Sequence, residues 1–510
     1  LSHPSSKGRQ SFLEAIWSSL LWGSLDKLTA LVKHVYIASA IGLSSELDVF
    51  YMANAILTLF VTSWSRIADV IAVPKLVALA KNGKTQEARE LTGDLFSLSC
   101  LFSLALGTLL TVFWPWITRL AWGFDPERQS LLTHSVFWAE PLILLTIPVS
   151  MLYSFARARR AFYLRYRNEF VISVTILACV TLYPTSPGVL LWSFSLGTII
   201  SFCLAVFESK GRVNFWGDPT SSSVKVLLSM APALLVFFAV EYLYALVDRQ
   251  FVSFLPVGAI SAIAYAWTLA KLLPSLLRIE GAFMTFYAES KDDPEQRSDQ
   301  LNSLISTGIL AGICLSLIVW EFSGPFIGLV LEHGKFNKTN TDLVARCTGN
   351  FGIAMVPFLL IPALGQICQV ENRMKLLVRR TLLGLALNIT FCSIFLFVLQ
   401  WGAEGVALST SISHWGMLLV SSALVRQLQI GIEYQRHAAW LATTLIYGFT
   451  ALMLTRLMGD LELGAGEPII QCVSFILLYF LPVLFGKGSD SRLARILFSR
   501  ALIKLKLRRK

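Results

Sequence analysis

Fourteen long apolar stretches run through the chain, at 13–42, 48–79, 92–122, 131–156, 168–184, 187–208, 224–254, 258–288, 301–322, 342–371, 375–399, 402–427, 436–457 and 467–486. A helix needs about 20 apolar residues to cross the hydrocarbon core of a bilayer. Lipid offers no hydrogen-bond partners, so each crossing segment must satisfy its own backbone as a helix. The pattern therefore predicts an all-α polytopic membrane protein with 14 transmembrane helices. Composition agrees: charged residues make up only 15% of the chain, against about 25% in an ordinary soluble domain.

Basic residues gather at every second gap between these stretches. The gap after span 2 holds Lys81, Lys84 and Arg89, and the gap after span 4 holds Arg157, Arg159, Arg160, Arg165 and Arg167. Lys210 and Arg212 follow span 6; Arg373 and Lys375 follow span 10, with Arg379 and Arg380 just inside span 11. The alternate gaps carry Glu46, then Asp125 and Glu127, then Asp460 and Glu462, the mixed exception being 332–338 with Glu332, Lys335 and Lys338. Cytoplasmic loops carry the excess of Lys and Arg. The even gaps, and hence both termini, are expected in the cytoplasm.

The net charge of +11 does not indicate nucleic-acid binding, because eight cations sit in residues 491–510 alone. There Arg492, Arg495, Arg500, Lys504, Lys506, Arg508, Arg509 and Lys510 alternate with Leu493, Ile496, Leu497, Phe498, Leu502 and Ile503. This predicts a basic amphipathic tail held by anionic lipid headgroups, with a solvated tail as the alternative. The eight cysteines stand singly, and no CxxC spacing occurs. Neither a zinc site nor a disulfide framework is indicated. No cleavable signal segment is evident. The chain begins at Leu1, which leaves its true start open.

A shift of 214 residues lays parts of the chain on themselves. Ile147-Pro148 falls on Ile361-Pro362, Arg159 on Arg373, Arg165 on Arg379, Gly188 on Gly402, Tyr51 on Tyr265 and Ser39 on Ser253. The offset covers six spans, an even number, so both copies share one orientation. This is a parallel repeat. It predicts an N-lobe over 1–222, a C-lobe over 223–430, two extra spans over 431–486 and a cytoplasmic tail over 487–510. Two parallel lobes around a cleft make an alternating-access design.

Ionisable residues at membrane depth are expensive and face a cavity or one another. They concentrate in the first two spans of each lobe: Asp26, Lys27, Lys33, His34, Asp48, Arg66 and Asp69, then Glu241, Asp248, Arg249, Lys271, Arg278 and Glu280. Glu140 is a lone acid before Pro141. Asp26 and Lys33 are seven apart, as are Lys27 and His34, Glu241 and Asp248, and Lys271 and Arg278. Seven residues are nearly two helical turns, so each pair shares a face. Arg66 and Asp69, at a spacing of three, can pair locally. Lys27, Lys33, Arg66, Arg249, Lys271 and Arg278 are candidates for an anionic headgroup, since Lys and Arg grip phosphate. Asp26, His34, Asp48, Asp69, Glu140, Glu241 and Asp248 are candidate cavity or coupling groups. The competing reading is mutual neutralisation, with snorkelling at span ends.

No GxxxxGK[ST], GxSxG or HExxH occurs, so the usual nucleotide and hydrolase sites are not indicated and the chain is not read as an enzyme. No cofactor is expected. Energy would come from an ion gradient (H+ or Na+), the membrane potential or the substrate gradient. Asn337-Lys338-Thr339 and Asn388-Ile389-Thr390 match a glycosylation pattern and are read as chance.

Ile41-Gly42, Asp48-Val49-Phe50-Tyr51-Met52-Ala53 and Ala72-Val73-Pro74 resemble the first hairpin of the MurJ (MviN-type) lipid II flippases, of the multidrug/oligosaccharidyl-lipid/polysaccharide exporter superfamily. Val247–Phe251, Ser253–Pro256 and Gly258–Ser261 resemble the hairpin opening the second lobe. Gly334-Lys335-Phe336 and Gly402–Thr410 resemble the loop before span 10 and the start of span 12. The likeness covers roughly residues 14–430. It implies fourteen helices, a cationic cavity lined by spans 1, 2, 7 and 8, and a groove for the lipid tail formed by spans 13 and 14. The implied cargo is an undecaprenyl-pyrophosphate-linked saccharide moved from the cytoplasmic to the outer leaflet. This chain departs from the family at Lys33-His34, at Leu57-Thr58-Leu59-Phe60, at Trp267-Thr268 and at Lys271. Positive charge is partly kept but relocated, which leaves another lipid-linked glycan open as cargo. An ion-coupled drug or solute antiporter, relying on Glu140 or Glu241, and a scaffold for envelope-assembly proteins are the other readings.

Overall fold

The computed structural model describes residues 12–159, 161, 163–184, 188–211, 213–229, 231–277, 293–371, 373–427, 431–458 and 467–485. Arg278, Glu280 and the basic tail lie outside these residues, as does the side chain of Asp69. The described residues form helices and no strand. The chain divides into two compact units, 1–261 with 331–337, and 262–330 with 338–510.

Unit 1 holds α1 (Phe12–Ile41), α2 (Ser45–Leu57), α3 (Ser63–Lys81), α4 (Thr85–Ile117), α5 (Pro126–Ala158), α6 (Tyr163–Leu182), α7 (Val189–Ser209), α8 (Ser222–Leu228) and α9 (Ala231–Val252). A π-helical turn at Thr58–Thr62 joins α2 to α3. Around it Ser63 Oγ donates to Leu59 O at 2.6 Å and Ser65 Oγ to Val61 O at 3.3 Å. Such back-bonding competes with the backbone ladder and bends helices. Asp125 caps α5, accepting the Arg128 amide at 2.8 Å ahead of Pro126 in the first turn. Both residues are favoured there because early helical amides lack partners. Within the unit α1 packs along α6, and α5 packs against α3, α4 and α7.

Buried polar groups tie these helices where apolar packing alone would leave them free to slide. Asn168 on α6 donates to the Tyr153 hydroxyl at 3.0 Å and to Ser201 O at 3.1 Å, and Ser201 Oγ returns a bond to Asn168 O. Glu46, at the start of α2, accepts the Gly188 amide at 2.8 Å. At the end of α1 the Lys335 amide donates to Ser39 O at 2.8 Å. Gly334 beside it has φ +59°, and a Cβ there would collide with Ser39. Only glycine meets both demands.

Unit 2 holds most of α10 (Ala259–Leu277) and of α11 (Pro294–Leu331), then α12 (Lys338–Gly352), α13 (Met355–Val370), α14 (Met374–Ser393), α15 (Gly402–Arg426), α16 (Tyr434–Met458) and α17 (Glu467–Phe485). Its core gathers Leu301, Ile309, Val356, Leu360, Phe475 and Tyr479, and the Tyr479 hydroxyl bonds Leu310 O at 2.8 Å. Gly308 and Gly312 let α11 approach Leu360 and Val356 so closely that an added Cβ would clash, the small-residue packing expected of helices in lipid. His437 on α16 meets Asn302 Oδ1 at 2.8 Å through Nε2. Asn388 is fully buried and accepts from Ser409 Oγ at 3.0 Å, so its match to the glycosylation pattern is accidental.

By length and composition eight described helices can cross a membrane, or nine if α12 and α13 are one span bent by 50°. Span 10, expected as one stretch over 342–371, is therefore broken. Pro357, in the first turn of α13, offers no amide to the carbonyl four residues earlier, which suits a break there. The stretch expected at 301–322 extends as one helix from Pro294 to Leu331. The one expected at 224–254 is split into α8 and α9. α1 is not among the eight; Asp26, Lys27 and Lys33 interrupt its apolar run.

Candidate anion-binding sites

In unit 1 the charges expected at a site lie on α1, α2, α3, α5 and α9. Asp26 is buried, with Lys27 Nζ 3.7 Å from its Oδ2. Lys33, half-buried two turns on, feels the charges of both, as the seven-residue spacing requires. His34 is half-buried with Lys33 as its charged neighbour. Arg66 is exposed and hydrogen-bonds the Tyr242 hydroxyl of α9, close to the charges of exposed Glu241 and of Arg165. The expected Arg66–Asp69 pair falls outside the described residues.

A cavity of about 520 Å³ opens beside Lys27, lined also by Tyr153, Arg157, Arg165, Tyr166 and Glu169. Arg165 Nε donates to Glu169 Oε1 at 2.8 Å. Their place in the sequence marks Arg157 and Arg165 as orientation signals, and Arg165 also as part of the repeat, but neither as a candidate for an anion site. The spacing of Arg165 and Glu169, one helical turn, was the available clue that this basic gap is organised rather than merely solvated.

Asp48 serves a different purpose. Its carboxylate is fully buried and accepts the Gly258 amide at 2.7 Å, the Ser261 amide at 2.8 Å and the Ser261 hydroxyl at 2.6 Å. Buried Arg128 stands 3.8 Å away and also bonds Asp125 through Nε at 2.8 Å. Asp48 thereby caps the first turn of α10, whose amides would otherwise be orphaned. Glu140 lies half-buried on α5 and receives a long hydrogen bond, 3.5 Å, from Thr111 Oγ1 of α4. Arg249 NH1 donates to Ala245 O at 3.1 Å, with buried Asp248 and Tyr51 as its charged or titratable neighbours.

Unit 2 contributes Lys271, held by aromatic rings. Its Nζ lies 3.8 Å from the Phe358 ring centroid and 4.7 Å from that of Trp267. His414 packs edge-on against Phe358 at 4.9 Å, with Nδ1 2.7 Å from Thr410 O. A ring face attracts a cation by about 0.5–2 kcal/mol, most when desolvated. The two rings fix the position of the Lys271 ammonium. Buried Arg380, bonded to Ile361 O at 3.3 Å, adds a second positive charge felt by His414. Arg278, expected on the same face as Lys271, lies outside the described residues. Among the described residues no group of three His, Cys, Asp or Glu side chains is arranged to hold a metal ion.

Comparison with known proteins identifies the family and the fold. The family model described as "Lipid II flippase MurJ" matches residues 37–478. A probable lipid II flippase MurJ of Thermotoga maritima is 24% identical over 400 residues, covering 76% of this chain and 80% of that protein. The lipid II flippase MurJ of Burkholderia cenocepacia is 24% identical over 457 residues, covering 85% and 87%. A solved structure of lipid II flippase MurJ in an inward closed conformation has a TM-score of 0.76 at 20% identity, covering 95% of this chain and 100% of that one. An inward-facing multidrug resistance MATE transporter of the MOP superfamily has a TM-score of 0.63 at 14% identity, covering 84% and 99%. At these identities the structural likeness shows a shared fold. The family match across most of the sequence shows that the chain belongs to the MurJ lipid II flippase family.

Proposed function

We propose that this protein is a flippase that moves a polyprenyl-pyrophosphate-linked glycan, lipid II above all, from the cytoplasmic to the outer leaflet by alternating access. The family match over 37–478 carries the reading. The chemistry supports it: Lys27, Lys33 and Arg66 in unit 1 and Lys271 in unit 2 are cations in stretches read as spans, and such side chains suit a pyrophosphate whose lipid tail stays in the bilayer. Charge is costly in lipid unless it serves a ligand or a partner. The fuller reading has fourteen spans, both termini in the cytoplasm of a bacterial inner membrane, lobes over 1–222 and 223–430, and two extra spans whose groove holds the tail. The basic end of the chain rests on anionic lipid. An ion gradient or the membrane potential supplies direction.

Complementation tests the assignment. A bacterium depleted of its own lipid II flippase accumulates lipid II on the inner face; this chain should restore growth and clear the precursor. Continued lipid II accumulation with relief of a different lipid-linked precursor would reassign the cargo. No change in any precursor, with the protein present in the membrane, would reject the transport reading.

A further inference from the structure

The cavity beside Lys27 joins three cations from separate places: Lys27 from the middle of α1, Arg157 from the end of α5 and Arg165 from the start of α6. One carboxylate lines it, Glu169, and Arg165 already engages it at 2.8 Å. Lys27 Nζ also lies 3.7 Å from Asp26, so a phosphate entering the space would compete with carboxylates for these cations, with the stronger charge and better fork geometry on its side. The Tyr153 hydroxyl accepts from Asn168 Nδ2 at 3.0 Å, so its own proton is left to donate to a ligand oxygen. The volume of about 520 Å³ falls within the range of small-molecule sites, roughly 300–1,000 Å³. The Asn168 bonds to α5 and α7 brace the wall.

The geometry points to a phosphate-ester subsite here, formed by Lys27, Arg157 and Arg165 with Tyr153, where a lipid-borne pyrophosphate first docks from the cytoplasmic leaflet. The cytoplasmic placement and the carrier lipid rest on the flippase reading above; the affinity for phosphate oxygens does not. Arg forks suit phosphate bidentately, whereas lysine acts as a point charge. Glu169 acts as a stand-in anion for Arg165 until the ligand arrives.

The experiment uses the full chain in nanodiscs of zwitterionic lipid, titrated calorimetrically with inorganic pyrophosphate at low salt, where surface charges are least screened. Saturable binding is expected. The pair Arg157→Ala/Arg165→Ala should weaken it at least about tenfold, and Arg157→Lys/Arg165→Lys by less. Glu169→Gln should bind severalfold tighter, a gain that misfolding cannot imitate. An alanine pair that is monodisperse and binds within twofold of wild type overturns the subsite, as does weaker binding by Glu169→Gln. Two competitors separate the ligand's sources. Displacement by a short-chain polyprenyl pyrophosphate at concentrations well below those of phosphatidylglycerol supports carrier docking; displacement by phosphatidylglycerol at equal or lower concentration overturns it in favour of bulk lipid. Binding is read without transport. A wild type that binds but flips nothing therefore refutes only the flippase reading, and one that flips but does not bind refutes only the subsite.

Discussion

Replacing Asp48 should loosen the first turn of α10 more than any nearby change. In Asp48→Ala the Gly258 and Ser261 amides and the Ser261 hydroxyl all lose their acceptor. Each buried group left unsatisfied costs about 1–3 kcal/mol. Taking about 1.5 kcal/mol for each amide, nothing for the hydroxyl (which can turn to another acceptor), and about 1 kcal/mol for buried Arg128, which at 3.8 Å loses one of its two carboxylates, the loss is about 4 kcal/mol. A factor of ten corresponds to about 1.4 kcal/mol, so local opening should become about 700-fold more frequent. Asp48→Asn keeps one oxygen for Ser261 but sets an NH2 group against the Gly258 amide; about 2 kcal/mol and a 30-fold change follow from the same conversion. Hydrogen–deuterium exchange of peptides spanning 258–263 in detergent measures this directly, with α7 peptides as an internal control. Exchange within threefold of wild type in Asp48→Ala would refute the capping role. Asp48 would then be available for the coupling part that its place in the sequence also allows.

Lys271→Ala should slow flipping of fluorescent lipid II by at least tenfold. Trp267→Ala, removing one of the two rings that hold the ammonium, should slow it less, in line with about 0.5–2 kcal/mol for one such contact; equal rates in both variants would exclude an anion role. Gly334→Ala should lower the melting temperature, because φ +59° and the adjacent Ser39 leave no room for a Cβ; an unchanged melting temperature would contradict that close approach. Arg456→Ala, despite two bonds to Glu321 at 2.6 and 2.7 Å, should cost no more than about 1 kcal/mol in thermal melts, since the arginine is largely exposed. The Arg128 amide, and then its guanidinium, hold the Asp125 carboxyl below the usual 3.8. Its contribution is present above pH 3.8 and lost as pH falls through the lower folded value. The melting difference between wild type and Asp125→Ala should be constant near neutrality and shrink only in acid; shrinkage beginning near pH 6 would point to another group.

Charge spacing along single helices was legible from residue order alone. Asp26 and Lys33 do sense one another, because seven residues return a helix to the same face. The cage around Lys271 was not, since Phe358 and His414 come from α13 and α15, and no local period links those helices to α10. The same limit hid the cavity beside Lys27. Arg157 and Arg165 stood out as cations, but only the packing of α1 against α6 brings Lys27 to them. Asp48 looked like a costly membrane charge, and its partners lie more than two hundred residues away. Apolar runs marked most helix cores well, yet they begin late at Pro294, whose first turns are polar and extend beyond the apolar segment. They also gave no hint of the π-helical turn at Thr58–Thr62, where the sequence carries no charge, Gly or Pro to mark a break.

Proteoliposomes holding the purified chain and fluorescent lipid II in one leaflet bear most directly on the proposed activity. Headgroup exposure should rise in the opposite leaflet well above that of protein-free vesicles, and should fall at least tenfold with Lys33→Ala or Lys271→Ala. Wild-type transfer no faster than empty vesicles, or both lysine variants transferring at the wild-type rate, would contradict a flippase that works through these cations.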